Sequence, residues 1–195
     1  MTFKALIVVT IVLLILLGIL AVQGRAEGSE VHKAMPVNDD PDGKRSFHDV
    51  PETAWYYNDV MYVAKHGILV GTPDGFFLPK DAMTTSMTIC AFGRIEGMDP
   101  KYRATSHCVT RQTFAVIAYW YLTEYLGAEM HESDIRFQDD HEIAGFAKQA
   151  VYSLRWAGII YGDENSNFRP DDYITRAEAA SILHELCMWV EKTNE

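Results

Sequence analysis

Ile174-Thr175-Arg176-Ala177-Glu178 opens a helical pattern, and two earlier stretches open one in the same way. Val109-Thr110-Arg111 repeats its first three residues in kind. Met83-Thr84-Thr85 repeats them without the arginine. A threonine before a helix offers a side-chain oxygen to the unpaired N–H groups of the first turn. Glu178, three residues after Thr175, completes a capping box; Thr110 lacks that partner, because position 113 is Thr. Three similar helix starts in a chain of 195 residues indicate an internal repeat.

The segments behind these starts support the repeat. Phe114, Ile117, Ala118, Tyr121, Leu122 and Tyr125 fall on Ala179, Ile182, Leu183, Leu186, Cys187 and Val190 at a shift of 65. Both sets form one buried helix face. At a shift of 91, Gly67, Ile68, Gly71, Phe77, Pro79, Asp81 and Thr84 fall on Gly158, Ile159, Gly162, Phe168, Pro170, Asp172 and Thr175. Trp55 falls on Phe146. One residue of adjustment upstream sets Phe47 against Phe137 and Asp49 against Asp139. Glycines and prolines mark backbone constraints, so the match is one of geometry. Thr84 and Thr110 are only 26 residues apart, which leaves no room for the front half of a middle unit. The chain is expected to hold a first repeat over 46–98, the back half of a second over 99–130, and a third over 131–195.

Residues 5–22 are almost unbroken apolar and follow Lys4, the pattern of an export signal. As a helix they would reach roughly 27 Å, long for a signal core and just adequate for a membrane span. Residues 1–26 therefore read either as a signal peptide cut after Ala26 or as a retained anchor, and both readings place the rest outside the cytoplasm. Residues 27–45 are polar and rich in turn formers, as in a linker.

Apolar residues make up 48% of the chain and aromatics 12%, enough for a real core. The net charge is −10 and no basic cluster stands out, so nucleic-acid binding has no support. An anionic partner would be repelled at long range and would need a specific pocket. The three cysteines, Cys90, Cys108 and Cys187, include no CxxC. Cys90 and Cys187 lie in helical patterns, where cysteine acts mainly as a small buried group. Asp163 to Asn167 resembles a calcium loop, but Phe168 and Ile174 stand where such a loop needs Gly and Glu, so it reads as a turn. No HExxH, G-x-S-x-G or phosphate loop is present. No catalytic residue, metal ligand or cofactor is assigned.

Two segments carry a family resemblance: FHDVPETAWYYNDVMYVAKHGILVGTPDGFFLPKDAMT from Phe47, and WAGIIYGDENSN with FRPDDYITRAEAASIL from Trp156. In these the chain resembles the S-layer homology family. The resemblance implies a mainly α, pseudo-threefold module in which a central bundle carries projecting prongs, here with one prong missing. It further implies grooves between prongs that bind secondary cell-wall polysaccharide, often carrying a pyruvate ketal, in a Gram-positive-type wall. A non-catalytic anchoring role outside the cell follows from it.

On this basis the polysaccharide site is expected among Arg176, Arg111, Asp49, Trp55, Gly71 and Gly162. An arginine fork at a helix start suits a carboxylate; the alternative for Arg176 is a salt bridge to a neighbouring prong. Trp55 reads equally as a platform for a sugar ring or as a core aromatic, with Asp49 accepting hydroxyl hydrogen bonds in the first case. Gly71 and Gly162 either admit a ligand close to the backbone or simply permit turns. A rival function is a protein–protein scaffold, possible if the missing prong leaves no whole groove. Membrane contact is expected only through residues 5–22, if uncleaved.

Overall fold

The structure is a computed structural model that describes residues 46–98 and 107–193. The leader expected over 1–26 and the linker over 27–45 lie outside the described residues. Five α-helices occur among those described: α1 (Tyr57–Lys65), α2 (Thr85–Ile95), α3 (Arg111–Trp120), α4 (Gly145–Trp156) and α5 (Arg176–Thr193). Helices α2, α3 and α5 begin at the three repeated stretches and form the central bundle. Around them α1 packs along α5, and α4 packs along α3.

The three helix starts meet on a pseudo-threefold axis. Met83 donates its backbone N–H to the carbonyl of Ile174 (2.8 Å), Ile174 to Val109 (3.0 Å), and Val109 back to Met83 (2.9 Å). This closed ring of hydrogen bonds is buried, so the apolar residue of each start is central to the fold. Each threonine then caps its helix as expected. The hydroxyl oxygens of Thr84 and Thr110 accept from the N–H groups of Met87 and Thr113. Thr175 accepts from Glu178 N–H (3.2 Å) while Glu178 Oε2 accepts from Thr175 N–H (2.9 Å), a complete capping box.

Other free N–H groups at the starts of α3 and α5 are satisfied by a neighbouring unit. Arg176 and Ala177 donate to the carbonyls of Asp81 and Pro79 of the first unit. Arg111 and Gln112 donate in the same way to Asp172 and Pro170 of the last. Helix initiation and repeat assembly are thus one event, because the donors left open by helix geometry are closed only by the adjacent repeat.

Two prongs are present among the described residues. The first is α1 with its following loop, and the last is α4 with its loop. In each, a phenylalanine pair holds the loop: Phe47 lies 5.4 Å from Phe77, and Phe137 lies 5.4 Å from Phe168, centroid to centroid. The 15 residues between α2 and α3 carry no prong helix among those described. The fold is therefore the expected mainly α threefold module, with two prongs among the described residues.

The end of α3 departs from the regular pattern. Tyr121–Tyr125 forms a π-helical turn, closed by Leu126 N–H donating to Tyr121. The wider turn stacks Tyr121 on Tyr125, and both hydroxyls donate to Glu96 at the end of α2 (2.5 and 2.8 Å). Burial, then the Glu96 carboxylate, pushes the Tyr121 hydroxyl far up from its ordinary pKa. Cys90, Cys108 and Cys187 form no disulfide.

Candidate functional site

The loop of each prong is built by one aspartate. Asp49 accepts from the backbone N–H groups of Phe77 (2.8 Å) and Leu78 (2.7 Å). Asp139 does the same for Phe168 (2.8 Å) and Arg169 (2.6 Å). Leu78 and Arg169 sit at φ +61° and +58°, a conformation that costs a non-glycine residue about 1–2 kcal/mol. Two hydrogen bonds to a carboxylate offset that cost. Asp49 is thereby committed to holding its own loop.

Gly71 and Gly162 are also packing positions. A Cβ on Gly71 would stand 2.4 Å from the Phe47 ring and 2.7 Å from the Phe76 carbonyl. On Gly162 it would meet Asn167 O and the Phe137 ring at 3.1 Å. Neither residue has a positive φ, so close approach rather than turn geometry demands glycine. The Asp163 loop is a turn, in which Asp163 accepts from the backbone N–H groups of Asn165 and Asn167 at 2.9 Å.

Arg111 and Arg176 are equivalent and both only 6% exposed. Arg176 reaches under the first-unit loop. Its Nε donates to Phe77 O and its Nη2 to Val70 O, both at 2.8 Å, and its guanidinium lies 4.6 Å from the Phe77 ring centre. Burial pushes its pKa down to about 10, against the pull of Asp81 and Asp49. Arg111 reaches under the last-unit loop, where Nε donates to Phe168 O at 2.7 Å and the guanidinium covers the Phe168 ring. Unlike Arg176, it also pairs with a carboxylate, Glu178, at 2.9 Å.

Above Arg111 lies a groove of about 430 Å³. One wall is the last-unit loop, with Tyr161, Gly162, Asp163 and Arg169. The floor is α5, with Glu178, Ser181 and Ile182, and Trp55 stands on the first-unit prong as the opposite wall. Trp55 is 67% exposed, so it is a surface aromatic and not part of the core. The groove thus brings together Trp55, Arg111 and Gly162 from the expected residues. Asp49, Gly71 and Arg176 lie outside it, in the first-unit loop and beneath that loop.

The equivalent groove above Arg176 would need a tryptophan-bearing prong from the middle unit, and there is none among the described residues. Phe146, 71% exposed, stands on the last prong in the place that Trp55 holds on the first. One complete groove remains among the described residues.

Sequence reasoning missed Tyr161, Arg169, Ser181 and the groove role of Glu178. A signal was present. At a shift of 91 the first unit carries Val70, Leu78 and Met87 where the last carries Tyr161, Arg169 and Glu178. Between these two units, the polar side chains stand in the one whose groove is whole. Burial opposes ionisation of Glu178, but Arg111, the N–H and hydroxyl of Thr175, and Arg169 outweigh it and hold the carboxyl below its usual range. Among the described residues, no group of three or more His, Cys, Asp or Glu side chains is gathered to hold a metal ion.

The fold and groove define a helical repeat module whose binding surface lies between projecting units. Residues 46–84 and 136–180 match the S-layer homology domain, and over these segments the chain belongs to that family. It is 32% identical over 148 residues to the exoglucanase XynX of Acetivibrio thermocellus, covering 76% of this chain and 11% of that protein. It is 52% identical over 51 residues to the surface-layer 125 kDa protein of Lysinibacillus sphaericus, covering 26% of this chain and 4% of that one. Identity to S-layer protein EA1 of Bacillus anthracis is 25% over 151 residues, 77% of this chain and 14% of that protein. The chain therefore spans only a small part of the length of these relatives. The family places it among exported, cell-surface-associated anchoring modules.

Proposed function

We propose that the chain is a non-catalytic anchor that holds to a secondary polysaccharide of a Gram-positive-type cell wall through the groove between Trp55 and the last-unit loop. The observation that carries this reading is the exposed indole facing Tyr161 and a set of fixed polar groups across a groove of about 430 Å³. That volume lies in the ordinary range of small-ligand sites, about 300–1,000 Å³. Aromatic faces suit the C–H faces of sugar rings, and carboxylate oxygens accept hydrogen bonds from sugar hydroxyls. The match of both prongs to the S-layer homology domain supports the same reading.

The test is co-sedimentation of the purified full-length chain with cell-wall sacculi, native or stripped of secondary polymer with hydrofluoric acid. Native sacculi should retain the chain and stripped ones should not. Trp55→Ala should cut retention at least tenfold while leaving stability within about 0.5 kcal/mol, because the side chain is exposed. Undiminished retention on stripped sacculi, or by Trp55→Ala, would refute the proposal.

A further inference from the structure

The complete groove shows what each unit brings to such a surface. A loop forms one wall, the central helix after it forms the floor, and the prong of the neighbouring unit sets an exposed aromatic on the far side. Around the threefold axis, the first-unit loop and the Phe146 prong flank one sector, that of the middle unit. Whereas α1 lies along α5 and α4 along α3, no helix among the described residues lies along α2 in this way. Both flanks of the sector are apolar. Phe146 stands exposed on one side, and Leu78 and Met87 are exposed on the other. At a shift of 91, Val70, Leu78, Met87 and Cys90 occupy the places that Tyr161, Arg169, Glu178 and Ser181 hold in the complete groove. Side chains suited to water or a polar ligand have given way to a surface that gains by being covered.

We propose that two copies of this chain pair through this sector, the Phe146 prong of each standing against α2 and the first-unit loop of the other. A second copy brings the element the sector calls for, a helix that carries an exposed aromatic in the place of Trp55. It also has the matching need. Among its described residues, each chain has one loop that faces no prong and one prong that faces no loop. Both flank a single opening, so one two-fold axis satisfies both at once, and the contact closes at two copies instead of extending into a filament. Phe146 would meet Leu78 and Met87, a contact favoured by apolar burial and by sulfur–aromatic attraction. Met87 is held in place for it. Its sulfur lies 4.0 Å from Arg176 Nη1, and the rest of that guanidinium is tied to the Phe77 and Val70 carbonyls. The groove of Trp55 and Arg111 lies in another sector and stays outside the contact.

Disulfide trapping between two differently tagged full-length copies tests the pairing without any wall material. Mild detergent keeps the apolar stretch 5–22 from driving aggregation. One copy carries Phe146→Cys and the other Met87→Cys, and the mixture is oxidised. In the control, the Phe146→Cys copy is mixed with a Tyr161→Cys copy, altered in the other groove. The unaltered chain sets the background from Cys90, Cys108 and Cys187. The first mixture should be trapped about tenfold more than the control or the background, because a disulfide forms only between Cα atoms a few ångströms apart. Phe146→Asp alters an exposed side chain, so folding is kept. In sedimentation equilibrium it should weaken association about a hundredfold, because a two-fold contact loses the buried ring twice. Equal trapping in both mixtures, or association untouched by Phe146→Asp, would place the contact elsewhere and overturn the proposal. A monomer throughout the concentration series would overturn it too, and would leave the sector to the chain's own remaining residues or to a different molecule.

Discussion

Replacing Arg176 by alanine tests whether this arginine is a clamp or a ligand contact. The side chain makes two hydrogen bonds from a charged donor, to Phe77 O and Val70 O, and lies over the Phe77 ring. Each bond is worth about 1.5–3 kcal/mol, and the ring contact adds about 1 kcal/mol. Against this, the cost of burying the charge disappears, and water can reach part of the space the side chain leaves. The net expectation is about 3–4 kcal/mol of destabilisation, in line with losing one partner of a buried charged contact. For a chain of this size that corresponds to a fall in Tm of about 10 °C. Circular dichroism at 222 nm during heating, with a urea titration at unchanged slope, measures it. Below the transition, retention on sacculi should persist, because Arg176 lies outside the complete groove. Wild-type stability with lost retention would refute the reasoning and return Arg176 to the site.

Glu178 should shape the acid limb of stability. Its folded carboxyl ionises below the ordinary 4.5, so the unfolded chain binds protons more readily there; the stability it contributes is complete above that value and is lost as pH falls through the depressed folded pKa. Glu178→Gln should flatten this limb, and an unchanged profile in acid urea titrations would count against the ion network. Gly71→Ala should destabilise by about 2–3 kcal/mol and Gly162→Ala by about 1 kcal/mol, since the added Cβ overpacks the first site more severely; equal thermal shifts would contradict this. Cys187, with its thiol pushed up to about 11 by burial, should react slowly with a disulfide reagent at pH 8, and a rate matching that of a small free thiol would show the site to be open.

Much of the fold was legible because its constraints are local. The three threonine starts are caps, and caps depend on a few adjacent residues. The repeated Gly67 and Gly158 end helices at φ +68° and +72°, a conformation that favours glycine. Even the shortened middle unit could be read, because a helix and a loop fit in the 26 residues from Thr84 to Thr110 but the front half of a repeat does not. The π turn at Tyr121–Tyr125 was not legible. It is sustained by Glu96, some 25 residues earlier, and the same residues fit a regular helical stripe equally well.

The candidate site divides along the same line. Sequence alone marked out two equivalent arginines, two equivalent glycines and an unmatched Trp55–Phe146 pair, because repetition exposes which positions correspond. It could not say which arginine lies beneath a whole groove. That depends on which prong stands opposite each loop, a fact of rotation about the Met83–Val109–Ile174 axis rather than of neighbouring residues. Nor could it show that Asp49 is spent on Phe77 and Leu78, because a carboxylate looks the same in sequence whether it faces a ligand or its own backbone. The repeat and its helix caps were therefore written in the chain as local chemistry. The groove of Trp55, Arg111 and Glu178 was decided only when the units of one chain closed around an axis and set the first prong opposite the last-unit loop.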